Sequence, residues 1–267
     1  MAQKAFLDAL YEEYNRPERA ARDPVWFLHG YADPLEREVV GLIAALLARG
    51  RVEQIVRSVE DALRRLGGAP RRFVVSGSTA DLRAACDGFT HRMVNGERLR
   101  RFLQAVKQVL AEHGSLQQCF LSHDDASAPT ILPGLTGLAT ELIGAGAPVQ
   151  LVADPSKGSA CKRWNLYLRW VVRRDAIDPG GWGGVRPARL IVPLDTHMWR
   201  VCRELGLTDR KLCNLSAALE VTDSFRRICP DDPVRYDFAL MHASLEGRLG
   251  PGPLPAGGRD AGLGASA

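Results

Sequence analysis

Two side chains in this sequence have the chemistry of a nucleophile and its charged partner. Lys162 closes the run Ser156-Lys157-Gly158-Ser159-Ala160-Cys161-Lys162, and Asp195 sits in Pro193-Leu194-Asp195-Thr196-His197. Of 35 basic residues only five are lysines (Lys4, Lys107, Lys157, Lys162 and Lys211), and two of the five fall in this short run. A lysine kept where arginine serves elsewhere points to amine chemistry, which a guanidinium cannot perform. The turn Ser156-Lys157-Gly158-Ser159 runs straight into a helical pattern, so its backbone N–H groups are placed to hold a phosphate. Gly158 permits close approach there and Lys157 adds charge. Lys162 follows beside Arg163, in the electropositive kind of setting where an amine acts as a nucleophile. Asp195 stands at the start of another helical pattern, where it can cap free N–H groups and still present an oxygen to a reacting centre.

Each of these residues also has a plain structural explanation. Lys162 next to Arg163 reads equally as a solvated cation, and Asp195 as a helix cap worth about 1 kcal/mol. His197 fits a packed histidine as well as a phosphate ligand. Trp164, Trp170 and Trp199 read as core aromatics, with Trp199 the one placed to face a ligand. A mid-helix aspartate such as Asp237 usually faces solvent. Asp195 and His197 could anchor a metal-dependent hydrolase, but no second His/carboxylate pair has ligand spacing, so no metal is expected.

The elements that must position these residues are helical. Asp33-Pro34-Leu35-Glu36 supplies a cap, an N1 proline and a first-turn acid. The helix it opens carries an apolar stripe of Val39, Val40, Leu42, Ile43, Leu46 and Leu47. Helical periodicity recurs over 52–66, 97–112, 134–144, 159–173, 196–205 and 233–245, the last introduced by Asp232-Pro233. RRFVV and RLIVP are the two strand-like exceptions, and 122–130 and 178–188 read as loops. The expectation is an all-α, two-lobed domain over residues 1–246, followed by a Gly/Pro/Ala-rich disordered tail over 247–267.

The 267 residues are enough for a sizeable core, and no apolar run is long enough to span a bilayer. The start MAQKAFLDAL lacks a basic region leading into an apolar stretch, so a cytoplasmic, nucleoid-associated protein is expected. The six scattered cysteines form no CxxC pair and read as reduced, mostly buried thiols. A formal charge of +4 is compatible with a polyanionic partner. The Arg-, Ala- and Gly-heavy composition is what a GC-rich bacterial genome writes.

PLDTHMWRV resembles the segment carrying the catalytic aspartate of helix–hairpin–helix (HhH-GPD) DNA glycosylases. Gly158-Ser159-Ala160-Cys161-Lys162 resembles their G-x-G-x-K hairpin without its second glycine. The wide Lys162-to-Asp195 spacing, made by the 178–188 loop, is most similar to the archaeal 8-oxoguanine DNA glycosylases. The chain as a whole is similar to a bacterial family sharing the SKGSACKR and PLDTHM signatures. The resemblance implies a two-lobed helical glycosylase fold and a base-excision enzyme with AP-lyase activity, acting through a Lys162 Schiff base with Asp195 as charge partner. It further implies that Ser156, Lys157, Gly158, Ser159, His197 and Arg200 hold DNA phosphates. Asp237, Met241 and Trp199 would line the base pocket, although Met241 stands where an aromatic is expected. Duplex DNA with an oxidised base such as 8-oxoguanine is the implied substrate, acted on by a monomer with no cofactor and no iron–sulfur cluster. The alternative is a non-catalytic helix–hairpin–helix module that binds nucleic acid through backbone phosphates.

Overall fold

The computed structural model describes residues 2–249, and helices account for nearly all of its regular structure. The helix opened by Asp33 and Pro34 forms as expected. It is α4 in chain order, Pro34–Leu47, with the Asp33 side chain accepting from the Leu35 N–H at 2.9 Å. It is preceded by α1 (Ala2–Tyr14), α2 (Pro17–Ala20) and α3 (Trp26–His29). Every residue of α4 from Glu38 to Leu47 is buried, which makes it the central rod of the fold. A helix apolar all round is stable only when surrounded. Packed on or near it are α5 (Val52–Arg65), α6 (Pro70–Ser76), α9 (Leu116–His123) and α11 (Lys162–Val172).

Glu38 is the polar exception on this rod. Its carboxylate accepts the first two N–H groups of α9, from Leu116 at 2.9 Å and Gln117 at 3.1 Å, and the indole N–H of Trp182 at 3.1 Å. Burial pushes this carboxyl up to about 7 against the three donated hydrogens. The remaining helices are α7 (Thr79–Cys86), α8 (Gly96–His113), α10 (Leu132–Gly144), α12 (Thr196–Glu204), α13 (Leu215–Ile228) and α14 (Asp237–Leu245). The last helix returns to the first. Tyr14 Oη donates to Glu246 at 2.6 Å, Tyr236 Oη donates to Asp8 at 2.7 Å, and Arg19 pairs with Glu246.

Several local expectations are corrected. RRFVV lies in α6 rather than a strand, because Pro70 at N1 starts a helix whose buried side is Pro70 and Val74. RLIVP forms no strand: Arg189 ends a 3-10 turn over Pro187–Arg189, and the buried Leu190, Ile191 and Val192 after it lead into Asp195. The one strand pair among the described residues is a two-residue hairpin, Thr90–His91 with Val94–Asn95. Asp232-Pro233 opens no helix. The Asp232 carboxylate is taken by Arg173 Nε at 2.9 Å, and α14 begins four residues after Pro233, at Asp237. The expected helix over 159–173 begins only at Lys162. All six cysteines are free thiols, four of them buried. No helix among the described residues is long and apolar enough to cross a membrane. In the stretch expected to be a tail, Arg248 still bonds to Glu13 and Tyr14, while residues 250–267 lie outside the described residues.

Candidate active site

The chain reaches Lys162 through a tightly turned segment. Asp154 accepts the Ser156 N–H at 2.9 Å, and a single 3-10 turn over Pro155–Lys157 ends in Gly158 at φ 76°. That left-handed conformation is one that only glycine adopts freely. The Gly158 carbonyl accepts the Leu215 N–H at 3.0 Å, which ties the turn to the start of α13. Asn165 Nδ2 donates to the Ala160 carbonyl at 3.0 Å and folds the last loop residues onto the first turn of α11. Cys161 then takes φ 48°, a left-handed conformation that costs a non-glycine residue roughly 1–2 kcal/mol. The consequence is positional: Lys162 is the first residue of α11 rather than a residue one turn inside it.

Asp195 is brought to the same place by the buried extended segment 190–194, pinned where Val192 N–H donates to Thr222 Oγ1 at 3.0 Å. It caps α12, with Oδ1 accepting the Met198 N–H at 2.9 Å. Its other oxygen, Oδ2, accepts from Lys162 Nζ at 2.5 Å. Cap and charge partner are therefore the two oxygens of one carboxylate. The two side chains are 30% and 29% exposed, so the pair is reachable from solvent while held by buried backbone. Burial alone would raise the Asp195 carboxyl. The Lys162 charge and hydrogen bond, the Met198 N–H and His197 together hold it below the usual carboxylate range.

The neighbour that meets the Lys162 amine is thus a carboxylate and not the Arg163 guanidinium. Arg163 turns away, donating to the carbonyls of Leu46 at 2.8 Å and Gln150 at 2.9 Å, where it closes the C-terminal end of α4. Beside Lys162 lies a cleft of about 240 Å³ lined by Arg49, Leu151, Ser159 and Trp164 among others. Ser156, Lys157, Gly158 and Ser159 are all exposed, and Ser159 is the one of them that lines it. Arg200 is exposed on the first turns of α12, and His197 is half-buried with its Nε2 lacking a hydrogen-bond partner among the described residues.

The three residues expected around a base are placed differently from one another. Trp199 Nε1 donates to the Arg210 carbonyl at 3.1 Å, and its ring lies 5.2 Å from the Arg203 guanidinium. Met241 is half-buried against the core. Asp237 is 5% exposed and pairs through Oδ2 with Arg169, leaving Oδ1 without a partner among the described residues. Burial raises the Asp237 carboxyl and Arg169 opposes that, while Lys162 and Asp195 both reach it electrostatically. Asp237 is thus buried in an ion pair rather than set on a solvated helix face.

Sequence reasoning missed the cluster to which Asp237 belongs. Arg169 also contacts Asp178, Nε to Oδ1 at 3.2 Å. Arg173 pairs with Asp178, with Asp175 at 2.8 Å and with Asp232 at 2.9 Å. The only available signal was that Arg169 falls two helical turns after Lys162 in a stretch dense in tryptophan and valine, where a solvated arginine is out of place.

No curated protein and no solved structure matches the chain. The family described as "protein of unknown function (DUF2400)" matches residues 23–246, a span that contains Lys162, Asp195 and every helix from α3 to α14, and the chain belongs to that family.

Proposed function

We propose that the protein is a base-excision DNA glycosylase with AP-lyase activity, built on a helix–hairpin–helix glycosylase type of fold. The observation that carries this reading is the contact between Lys162 Nζ and Asp195 Oδ2, 2.5 Å across a sequence gap of 33 residues, with Lys162 also lining a cleft. An amine that serves only as a surface cation does not need a partner held by a helix cap and a buried strand-like segment.

The chemistry follows from the two groups. An enzyme acting on a base first takes it out of the stack, at a cost of a few kcal/mol that is smaller for a damaged pair. Asp195 accepts a proton from the Lys162 ammonium, and the freed electron pair on Nζ attacks the sugar C1′. The C1′–N bond to the base breaks as the new bond forms, and the base leaves with the electrons of the broken bond and takes up the proton held by Asp195. Opening of the sugar ring gives the Schiff base, from which loss of a C2′ proton expels the 3′ phosphate. Having passed that proton on to the leaving base, Asp195 is again a carboxylate and offsets the positive charge of the Schiff base. The exposed turn Ser156–Ser159, with His197 and Arg200 on α12, would hold the flanking phosphates. An oxidised base such as 8-oxoguanine is the proposed target.

Borohydride trapping on duplexes bearing 8-oxoguanine, uracil or an abasic site tests this directly. The parent should yield a covalent protein–DNA adduct on at least one of them, and Lys162→Arg should yield none. Absence of an adduct on all three duplexes would remove the lysine mechanism. Equal trapping by Lys162→Arg would assign the nucleophile elsewhere. The alternative, a phosphate-binding module without catalysis, predicts that Lys162→Arg retains DNA affinity and that no adduct forms with either protein.

A further inference from the structure

A second group of chemically capable side chains lies on α8, α9 and α10, helices that contribute neither Lys162 nor Asp195. The last turn of α8 carries Glu112 and His113. Gly114 ends that helix at φ 78°, and Ser115 at once caps α9, so the chain doubles back within two residues. α9 ends on His123 and packs closely against α10.

That close packing depends on Gly137. A Cβ there would stand 2.1 Å from the His123 Cβ and 2.2 Å from its Cγ, so only glycine lets the two backbones approach this far. Glu141 is one helical turn beyond Gly137. The His123 ring therefore lies across α10 with Nε2 3.1 Å from Glu141 Oε1. Glu141 also has an oxygen within 4.8 Å of ligand atoms on both Glu112 and His113. The His113 and His123 rings are 6.4 Å apart.

One further observation separates this group from an ordinary surface ion pair. His113 Nε2 is shielded from solvent and has no hydrogen-bond partner among the described residues. A buried nitrogen left unpaired is unfavourable, and a metal ion is one of the few ligands that satisfies an imidazole lone pair. We propose that Glu112, His113, His123 and Glu141 form a binding site for a first-row divalent metal ion, with Zn²⁺ the best match.

The donor set argues for this choice. Two imidazoles disfavour Mg²⁺ and Ca²⁺, which take oxygen ligands, whereas nitrogen with carboxylate suits zinc. A tetrahedral ion with bonds of about 2.0–2.1 Å sets its donors roughly 3.3 Å apart. The His123–Glu141 separation already meets this, while Glu112, His113 and Glu141 stand within 4.8 Å of one another, so the side chains would draw in around Glu141 for all four to bind one ion. The ion would clamp the ends of α8, α9 and α10. This is separate from the proposed excision chemistry and does not depend on it.

The test uses the full chain without a histidine tag, dialysed against Zn²⁺ and then against metal-free buffer, with bound metal measured by elemental analysis. The expected result is one Zn²⁺ per chain, a higher Tm with Zn²⁺ than with EDTA, and no such shift with Mg²⁺. His113→Ala, His123→Ala and Glu141→Gln should each weaken binding by about 10- to 100-fold or more, on the scale at which even outer partners of a metal site are felt. Sub-stoichiometric metal in the parent, or unchanged affinity in the His113→Ala/His123→Ala double variant, overturns the proposal. So does binding that is lost in Cys119→Ser and kept in His123→Ala, because Cys119 lies one turn before His123 and the site would then be a thiolate. If an alanine variant fails to fold, His123→Gln and the visible spectrum of the Co²⁺-loaded parent give the same decision. Borohydride trapping is read in parallel, and its outcome bears on the excision mechanism alone.

Discussion

Helix α11 carries cations paired with aspartates at both of its ends, and the two ends differ in everything except charge. At the N-terminal end one lysine meets one aspartate, each roughly a third exposed. At the C-terminal end Arg169 and Arg173 are shared among Asp175, Asp178, Asp232 and Asp237, and both arginines are almost wholly buried. A guanidinium does not lose its proton in a protein and forks across several carboxylates, which suits a junction that must hold still. An ammonium is a single transferable charge on a flexible stem. Under the proposed excision mechanism, the division of labour along one helix follows from which cation can give up its proton.

The comparison can be broken at its rigid end with the largest effect. Asp178→Ala removes the carboxylate that both arginines share and leaves buried charge uncompensated, so unfolding in denaturant should reveal a loss of about 3–5 kcal/mol. A loss below about 1 kcal/mol would mean that the cluster is not the anchor described. At the open end Asp195→Asn should leave stability within about 1 kcal/mol of the parent, because asparagine still caps α12. Excision on the responsive duplex should fall by at least about 10²-fold. Full activity in that variant would reduce Asp195 to a cap.

Acidity separates the two oxygens of Asp195 further. Its carboxyl is held below the ordinary range, so the stability it contributes is complete above the unfolded carboxylate value. That contribution is lost as pH falls through the lowered folded value. The difference in stability between parent and Asp195→Asn should therefore be largest near neutrality, at no more than about 1 kcal/mol for so exposed a pair, and vanish in strong acid. A difference that grows on acidification would reverse the assignment. A purely local backbone effect is expected at Gly158→Ala. Nothing lies within 4 Å of the added Cβ, so the cost is backbone strain alone, about 1–2 kcal/mol at φ 76°. Trapping by this variant should weaken with no change in which residue is trapped.

Legibility in the sequence followed how local each signal was. Asp33 with Pro34, and Asp195 before its helix, are caps whose partners lie two and three residues away, and both stand where the sequence placed them. Asp232 with Pro233 has the same local pattern, yet Arg173, 59 residues earlier, takes its carboxylate. A tertiary ion pair outcompeted a local cap. The Arg169–Asp237 contact was illegible for the same reason, since Asp237 alone reads as a solvated charge and a partner 68 residues away explains its burial. The lysine–aspartate pairing was an expectation from motif resemblance. Their proximity appears only once the 178–188 loop is folded back, with Trp182 N–H donating to the Val171 carbonyl at 2.8 Å.

The contact of α1 with α14 has a consequence for how the molecule is made. The first helix buries Leu7, Leu10 and Tyr14, yet several of the groups that hold it, Tyr236, Glu246 and Arg248, come more than two hundred residues later. At a synthesis rate of about 5–20 residues per second, α1 waits beside the ribosome for on the order of ten seconds or more before its partner emerges. During that interval its apolar face is open to other surfaces. Until residues 236–248 emerge, that face is what newly made protein offers to aggregation and to chaperones.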